Sequence, residues 1–390
     1  MSASFVYDAV RTPFGRYGHG LAGLRPDDLA AGLLAELVAR QPGLDPASID
    51  DVILGDANQA GEDNRDVARM AALLAGLPIT VPGVTVNRLC GSSLEAVIQA
   101  SRAIESGDAD LVLAGGVESM SRAPWVVAKP ARPYPSAHQT MHSTTLGWRL
   151  VNPRMPQDWT IALGETAEIL ALEHGISRQA QDEFAWRSHR LAAAAWTAGR
   201  YEAEIVRPSG VELARDEGIR PDTELAALAR LKPAFRPDGS VTAGNSSPLS
   251  DGASALLIAA EGRPGLGRPL ARIAGRGAAA VVPTHFGLAP VAAAQRALER
   301  AGRSWAEVDL VELNEAFAAQ SLACLKLWPQ VDPEIVNVDG GAIALGHPLG
   351  ASGGRILGHL AHRLAARGGG VGLAAICIGV GQGLAVVLEA

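Results

Sequence analysis

A cysteine stands where an alternating apolar segment gives way to a helical pattern, in TVNRLCGSS at residues 85–93. A thiol at the start of a helix lies near unpaired backbone N–H groups and the positive end of the helix dipole, which stabilise a thiolate. The pattern therefore predicts that Cys90 is a nucleophile with a lowered pKa, and that Gly91 lets an acyl group approach the backbone. A cysteine of this kind taken alone is more often a small buried core residue.

A histidine lies in a glycine-rich loop near the carboxyl end of the chain, in GGAIALGHPLGASGG at residues 340–354. His347 precedes a helical pattern and follows Gly346, a setting that fixes an imidazole and leaves room for a substrate. An imidazole beside a cysteine takes the proton that the thiol loses on attack and returns it later. We predict that His347 is this base, with an ordinary turn histidine as the alternative.

Two further strand ends carry groups that could take part in a reaction at Cys90. Cys377 ends a buried run in AICIGVGQG, ahead of Gly379, whose backbone N–H is predicted to donate to an oxyanion. A core cysteine is the alternative for Cys377. Asn314, in ELNEAFA, either serves developing charge or holds a water, or it caps the following helix. Cys324 lies in the middle of a helical pattern and is predicted to be structural.

The composition excludes several classes of protein. The chain has 390 residues, a formal net charge of -7, 44 glycines and only three cysteines. An odd number of cysteines without a CxxC pair indicates a reduced compartment and no disulfide scaffold. No long run of Lys or Arg and no apolar run of about 18 residues is present. We therefore expect no nucleic acid partner, no membrane span and a cytoplasmic location.

The elements that must position these side chains alternate as strand and helix. Strands are predicted over 5–10, 51–55, 83–89 and 109–116, and helices over 27–39, 64–74 and 91–106. The second half repeats this order: VTVN matches IVNV, and VLAGGVESM matches LAAICIGVG. Buried strands joined by helical crossovers predict an α/β fold with parallel strands, whose carboxyl ends gather the reactive side chains at one seam.

The repeat is interrupted between the two halves. Prolines, histidines and tryptophans follow Val117, and charged helical patterns come after them until the apolar pattern resumes near residue 251. We predict an amino-terminal half over 1–118 and 250–262, an inserted loop domain over 119–249, and a carboxyl-terminal half over 263–390.

Six blocks in order along the chain resemble the thiolase family. They are NRLCGSS, GVESMSRAP, TAGNSSPLSDGA, ELNEAFAAQ, NVDGGAIALGHPLGASGG and CIGVGQG. The resemblance implies two duplicated βαβαβαββ halves packed as α-β-α-β-α layers with an inserted loop domain. It also implies acyl transfer to and from coenzyme A as a substrate, no permanently bound cofactor, no metal, and a homodimer or homotetramer.

The resemblance also implies roles for individual residues. Cys90 is the acylated nucleophile, His347 activates it and the incoming CoA thiol, and Cys377 is the acid or base at the acetyl carbon. Asn314, positioning a water, and His347 form one oxyanion site, and the N–H groups of Cys90 and Gly379 form the other. The CoA site, by the same resemblance, uses Arg220, Lys232, Phe235, Ala243 and Ser247, for which surface charges, a packed phenylalanine and a turn cap are the alternatives.

Within the family, NQAGEDNRDVARMAALLAGLP, STTLGWRLVNP and CIGVGQG are most similar to the 3-oxoadipyl-CoA thiolases of aromatic-compound degradation. The resemblance implies thiolytic cleavage of a 3-oxoacyl-CoA, and condensation or thiolysis by an acetyl-CoA C-acetyltransferase acting on acetoacetyl-CoA is the alternative. A substrate with a terminal carboxylate requires a basic partner, for which His138, His142 and Arg149 are the candidates.

Other features of the sequence suggest alternative classes of protein. GHGLAG at residues 18–23 matches the GxGxxG of a nicotinamide-dependent dehydrogenase, but RTPFGRY separates it from the preceding strand. A catalytically silent CoA-binding protein or scaffold would have no need of Cys90, His347 and Cys377 together. HQTMH at residues 138–142 has the histidine spacing of a metal site without the glutamate of a metalloprotease.

Overall fold

A computed structural model describes residues 3–390 of the chain. Its strands are β1 (Ser4–Arg11), β2 (Gly15–Arg16), β3 (Asp51–Gly55), β4 (Gly83–Val86), β5 (Leu111–Ser119), β6 (Trp125–Val127), β7 (Met141–Ser143), β8 (Ser250–Ala260), β9 (Ala271–Ala280), β10 (Leu310–Leu313), β11 (Val371–Ile378) and β12 (Gln382–Glu389). Its α-helices are α1 (Pro26–Ala39), α2 (Val67–Leu74), α3 (Ser92–Ser106), α4 (Leu163–Glu173), α5 (Arg178–Thr197), α6 (Leu225–Ala229), α7 (Ala289–Ala301), α8 (Ala318–Leu327), α9 (Ala342–Leu345) and α10 (Ser352–Arg367).

The strand order is the same in the two halves. The first half runs β4-β3-β5-β8-β1, and the second runs β10-β11-β12-β9. In each half the strands at the outer end of the sheet pair in parallel and those toward its centre pair antiparallel. Strand β3 is parallel to β4 and β5, as β10 is to β11, whereas β8 and β12 are antiparallel to their neighbours. Val336 forms a parallel bridge to Val311 at the position that β4 has in the first half. The predicted duplication of an α/β unit is confirmed.

The two halves join along one edge. Strands β1 and β9 pair through Phe5 with Arg272 and Val6 with Ala271, so the hydrogen bonding is continuous through a ten-stranded sheet. Strands β4 and β10 lie at opposite ends of this sheet, so the halves are brought together near these strands by the helices that pack between them and not by strand pairing.

Helices cover the strands in three layers. Helices α1 and α2 pack on one face of the first half, and α7 and α8 pack on one face of the second. Between the halves, α3 and α10 share a core cluster with strands of both, including Leu94, Ile98, Ile356 and Leu360, all buried. This is the predicted α-β-α-β-α layering, and it is held by apolar burial from both sheets.

Local sequence explains both the buried central strands and the ends of the central helices. Strands β5 and β11 are buried at every position, which is why they are continuous apolar runs without polar alternation. Helices α3 and α10 each end at a glycine in the left-handed region, Gly107 at φ 84° and Gly368 at φ 88°. The chain therefore turns out of each central helix at a fixed residue and enters the next strand.

The segment between β5 and β8 contains a two-stranded sheet and three helices. Strands β6 and β7 pair as an isolated hairpin, whereas α4 and α5 pack against α8 and α9 of the second half. Some predicted bounds were wrong: the strand expected over 83–89 ends at Val86, and the helix expected from residue 64 begins at Val67.

Residues 18–23 form turns between β2 and α1, which is not the context of a dinucleotide fingerprint. No helix within residues 3–390 is long and apolar enough to cross a membrane.

Candidate active site

Cys90 lies in a single turn of 3-10 helix, Leu89–Gly91, between β4 and α3. Leu89 has a φ of 47°, in the left-handed region that side chains disfavour. Neighbouring side chains hold this turn: Asn87 Oδ1 accepts the Leu89 N–H at 2.9 Å, and Ser92 Oγ donates to the Leu89 carbonyl at 2.6 Å. The strand therefore stops early because polar side chains capture its last backbone groups, and Cys90 is presented at the first turn before α3.

The Cys90 side chain lines a cavity of about 370 Å³. The lining consists mainly of apolar and small polar residues from both halves and from the inserted segment: Ala57, Asn58, Leu89, Cys90, Glu118, Thr144, Thr145, Leu146, Gly147, Trp148, Arg149, Leu150, Leu163, Leu349 and Gly379. Among these residues, Glu118 carries the one carboxyl group and Arg149 carries the one permanent cation. A cavity of this size and composition suits a short acyl chain on a thioester.

The backbone N–H of Gly379 lies close to the Cys90 thiol, where it lowers the pKa of that thiol. A Cβ atom at residue 379 would lie 3.1 Å from Cη2 of Trp148 and 3.4 Å from Cδ1 of Leu89. A glycine is thus needed for the indole ring to close over this position. The backbone N–H of Gly379, which was predicted as an oxyanion donor, therefore lies next to the Cys90 sulfur, and the Trp148 ring packs against Gly379.

Burial controls the ionisation of Cys90. Desolvation raises the pKa of the Cys90 thiol to about 11, against the lowering effect of the Gly379 N–H and with a further rise from Glu118. The prediction of a lowered thiol pKa at a helix start was wrong, because the cost of burying a thiolate exceeds the gain from nearby N–H groups. At neutral pH the thiol is therefore protonated.

His347 is held as a neutral imidazole. Its Nδ1 lies 2.6 Å from Ser352 Oγ, which itself donates to the Pro348 carbonyl at 2.8 Å. Since the single hydroxyl proton of Ser352 is used on that carbonyl, Nδ1 carries the imidazole proton and Nε2 carries the lone pair. Burial, with the charge of Arg355, lowers the pKa of His347 to about 3. Within residues 3–390, Nε2 is buried without a hydrogen-bond partner.

The glycines around His347 pack against protein backbone of the first half. A Cβ at Gly350 would lie 2.2 Å from the Val117 carbonyl, and one at Gly353 would lie 2.5 Å from the Leu94 nitrogen. The expectation that these glycines leave room for a substrate was wrong. They let the His347 loop lie directly on β5 and α3, which brings it to the side of the fold that holds Cys90. Gly91 likewise packs on protein, since a Cβ there would lie 2.4 Å from Ile378 Cδ1.

Cys377 and Asn314 are buried and do not line the cavity. Cys377 is buried on β11 against Phe286 and Ala316. Burial, with a contribution from the neighbouring Cys90 thiol, raises the pKa of Cys377 well above its usual value. Asn314 donates its backbone N–H to the Ala375 carbonyl at 2.9 Å, while both polar atoms of its side-chain amide are buried without partners in residues 3–390. An unpaired buried amide is costly, and a water or a developing charge would satisfy it.

The predicted catalytic residues are therefore divided between the open cavity and the buried core. Cys90 and Gly379 line the open cavity. His347, Cys377 and Asn314 are buried and do not line it, although Leu349, two residues after His347, does. Cys324 lies in α8, is buried, and donates its thiol to the Gly287 carbonyl at 3.0 Å. This agrees with the structural role predicted for it.

The residues predicted for CoA binding lie on the surface of the inserted segment and its return to the core. Phe235 is 37% exposed and meets Phe317 edge-on, with ring centroids 6.2 Å apart. Ser247 donates its hydroxyl and its N–H to the Ala316 carbonyl, each at 3.0 Å, which places it beside the Cys377 cluster. Lys232 and Ala243 are exposed and adjoin the bridge between Pro233 and Thr242. Arg220 is exposed, and its N–H donates to His189 Nδ1 at 3.2 Å.

Sequence reasoning missed Glu118 and Ser352. Glu118 is buried at the end of β5 and accepts N–H groups from Gly350 at 2.8 Å and Ala57 at 3.1 Å. Burial, together with the nearby Asp63, raises its pKa to about 8. The available signal was the position of Glu118 at the end of a buried strand, in the same sheet edge as Cys90. Ser352 gave no signal beyond its place at the start of α10.

Comparisons with known proteins agree with this geometry. The model for "Thiolase, N-terminal domain" matches residues 4–262, and that for "Thiolase, C-terminal domain" matches residues 267–390. The chain belongs to the thiolase family. It is 53% identical over 401 residues to a "3-oxoadipyl-CoA/3-oxo-5,6-dehydrosuberyl-CoA thiolase" of Escherichia coli (strain K12), with 100% of each chain covered.

Two solved structures share the fold over the whole chain. One is the acetyl-CoA acetyltransferase of Bacillus anthracis, with a TM-score of 0.92, 40% identity, and coverage of 100% of this chain and 99% of the other. The second is human mitochondrial 3-ketoacyl-CoA thiolase in complex with CoA, with a TM-score of 0.91, 38% identity, and coverage of 100% and 98%.

Membership of the family defines the reaction class. This thiolase is an acyltransferase that cleaves a 3-oxoacyl-CoA with CoA to acetyl-CoA and a shortened acyl-CoA, and it uses coenzyme A as a substrate. The family, fold class and enzyme class predicted from the sequence are confirmed. Among residues 3–390, no group of three or more His, Cys, Asp or Glu side chains is arranged to hold a metal ion.

Proposed function

We propose that this thiolase cleaves 3-oxoadipyl-CoA to acetyl-CoA and succinyl-CoA through an acyl thioester on Cys90. The observation that carries the proposal is the Cys90 thiol, which lies beside the Gly379 N–H inside a cavity lined by one arginine. The Escherichia coli relative is named for the same substrate. The proposal extends the confirmed reaction class to one acyl group and to named residues.

Acylation begins with attack of the Cys90 sulfur on the 3-oxo carbon. The thiol is neutral because its pKa is raised to about 11, so it loses its proton as the C–S bond forms. The unpaired Nε2 of His347 receives that proton, since the Nδ1 proton is already held by Ser352. The oxyanion on the 3-oxo carbon accepts the Gly379 N–H and the N–H of Cys90 itself.

Cleavage of the bond between carbons 2 and 3 follows from collapse of that oxyanion. The electron pair leaves on carbon 2 of acetyl-CoA as an enolate. Cys377, whose raised pKa keeps its proton in place, protonates carbon 2. Asn314 has an unpaired amide that supports the charge on the enolate oxygen, directly or through a bound water, on the same side as His347.

Transfer to CoA completes the cycle. The proton that His347 took from Cys90 first passes to the Cys377 thiolate, which leaves His347 neutral. His347 then takes the proton of the CoA thiol as its sulfur attacks the Cys90 thioester, and returns that proton to the departing Cys90 sulfur as succinyl-CoA leaves. Splitting the reaction through a thioester replaces one difficult step by two easier ones. Arg220 and Lys232 are assigned to the phosphates of CoA, Phe235 to an apolar part of it, and Ala243 and Ser247 to the pantetheine.

Several wider features belong to the same proposal. The inserted domain over 119–249 is assigned to CoA binding, between halves over 1–118 with 250–262 and 263–390. The protein is proposed to act in the cytoplasm as a homodimer or homotetramer, in a degradative direction. One of the similar thiolase structures is in complex with CoA, which supports a CoA site in this chain.

The covalent step is tested with Cys90→Ser. We expect thiolysis to fall by roughly three orders of magnitude or more, because an alcohol is a far weaker nucleophile than a thiol at neutral pH. Mass spectrometry of wild-type protein incubated with 3-oxoadipyl-CoA alone is expected to find a succinyl group on the peptide that holds Cys90. Cys324→Ser is the matched control and is expected to keep activity. Full thiolysis by the Cys90→Ser protein, with no adduct on the wild type, contradicts the mechanism.

A further inference from the structure

Arg149 is the single cationic side chain that lines the Cys90 cavity. Glu118 carries the one carboxyl group in the lining, and the Cys90 thiol is protonated at neutral pH. The pKa of Glu118 is raised to about 8 by burial, so that this carboxyl is neutral at pH 7. At pH 7 the lining therefore carries a net positive charge, although the whole chain carries a formal charge of -7. A site with this local charge favours an anionic acyl group over a neutral one.

The guanidinium of Arg149 has unused hydrogen-bonding capacity. Its one hydrogen bond runs from Nη2 to Asn58 Oδ1 at 3.3 Å, a long contact to a neutral amide. No carboxylate of residues 3–390 lies within 4.0 Å of it, whereas Arg122, Arg178 and Arg236, which are also half-buried, each pair with an acid. A guanidinium has five N–H donors arranged to grip a carboxylate in bidentate fashion, so most of its donors are free for a ligand.

Asn58 is held in the orientation that accepts from Arg149. Its Nδ2 donates to Thr144 Oγ1 at 2.9 Å, and Thr144 Oγ1 in turn donates to the Pro124 carbonyl at 2.6 Å. This chain of donors fixes the Asn58 amide with its oxygen toward the guanidinium. The arginine is thereby positioned before a ligand arrives, which reduces the ordering cost of binding.

The position of Arg149 relates it directly to the sulfur. Its neighbour Trp148 closes over Gly379, the residue whose N–H reaches Cys90. Leu146, Leu150 and Leu163 provide apolar lining for methylene groups in the same cavity. Of the other basic candidates for a terminal carboxylate, His142 lies on the β6–β7 hairpin and His138 is exposed, and neither lines the cavity.

We infer that Arg149 is the specificity-determining residue of this thiolase, and that it binds the distal carboxylate of a dicarboxylic acyl group attached to Cys90. The inference rests on the proposed function and assigns its substrate preference to one side chain. Asn58 acts as a positioning residue for the guanidinium.

The test compares Arg149→Gln and Arg149→Lys with wild-type enzyme on two substrates of equal chain length. These are 3-oxoadipyl-CoA and 3-oxohexanoyl-CoA, which differ only in the terminal carboxylate. For Arg149→Gln we expect kcat/KM on 3-oxoadipyl-CoA to fall roughly 10- to 100-fold, the effect of losing hydrogen bonds to a charged group. The value on 3-oxohexanoyl-CoA is expected to hold. Arg149→Lys should fall between, because it keeps the charge without the planar fork.

A control and a second readout keep the outcomes separate. Arg154→Gln removes an exposed arginine of the same segment and is expected to change neither substrate. Acylation of Cys90 by succinyl-CoA and by butyryl-CoA, followed by mass spectrometry, reports carboxylate recognition without cleavage of a carbon–carbon bond. An equal loss on both substrates in Arg149→Gln, or an unchanged succinyl-to-butyryl preference, overturns the inference. Absence of 3-oxoadipyl-CoA cleavage by wild-type enzyme that still prefers succinyl-CoA overturns the proposed function alone.

Discussion

Replacement of Ser352 by alanine tests whether the tautomer of His347 controls catalysis. Ser352 Oγ accepts the Nδ1 proton of His347 at 2.6 Å and spends its own proton on the Pro348 carbonyl. In Ser352→Ala, a buried Nδ1–H would have no acceptor, which costs about 1–3 kcal/mol. The imidazole avoids this cost by moving its proton to Nε2. That tautomer cannot accept the Cys90 proton.

The expected effect on catalysis follows from that free energy. A penalty of 1–3 kcal/mol on the active tautomer corresponds to a fall in kcat of roughly 5- to 150-fold. Thiolysis is followed by the loss of absorbance of the 3-oxoacyl-CoA enolate, and the midpoint of thermal unfolding is measured on the same samples. The acylation rate of Cys90, measured by quenched mass spectrometry, should fall with kcat because the base acts in that step.

Ser254→Ala is the matched control. Ser254 is also buried, and its hydroxyl donates to the Ala351 carbonyl at 2.7 Å, one residue before Ser352. Its removal loses a hydrogen bond of the same kind without touching His347, so we expect lower thermal stability and unchanged kcat. The reasoning is refuted when Ser352→Ala retains wild-type kcat while its unfolding midpoint falls as far as that of Ser254→Ala.

Two further predictions concern pH. Glu118, which lies close to Asp56, Asp63 and Cys90, ionises as pH rises through about 8, so kcat/KM for 3-oxoadipyl-CoA relative to 3-oxohexanoyl-CoA should fall between pH 7 and pH 9. Glu118→Gln should flatten that ratio, and an unchanged pH dependence in this variant contradicts the role given to Glu118. His359 is buried between Glu204 and Asp339; burial opposes its charge, but these carboxylates raise its pKa to about 9 from 6.5. The stabilisation is therefore complete below about pH 6.5 and lost as pH rises through 9, so the unfolding midpoint of wild type should fall more steeply over this range than that of His359→Gln.

The fold was predictable from the sequence because its signal is local and repeated. Strands such as β5 and β11 are buried along their whole length, so a continuous apolar run is enough to identify them. Repetition of the pattern in the second half then predicts the layering. The bounds were less predictable: β4 ends at Val86 because Asn87 and Ser92 take backbone hydrogen bonds that a longer strand would need.

The candidate site was predictable only in part. Residues at strand ends, such as Cys90 and Asn314, could be found because parallel strands expose their carboxyl ends at one edge. The pKa of Cys90 could not, because it depends on burial by residues far apart in the chain, and desolvation outweighs the local effect of the helix start. Arg149 stood among three basic candidates in the sequence. Its place in the cavity depends on Asn58 and Thr144, which lie 86 residues apart.

The duplication places the proposed nucleophile and its proposed base in different halves. Cys90 belongs to the first half and His347 to the second, so the geometry of the site depends on the packing between them. That packing is unusually close where Gly116 meets the Gly350 carbonyl, 2.1 Å from the position a Cβ would take. Because any side chain at Gly116 or Gly350 must push the two halves apart, even alanine there would move the His347 loop away from Cys90. We therefore expect Gly116→Ala and Gly350→Ala to lower thiolysis, although neither glycine carries a functional group, because each lets backbone meet backbone where the two halves pack together.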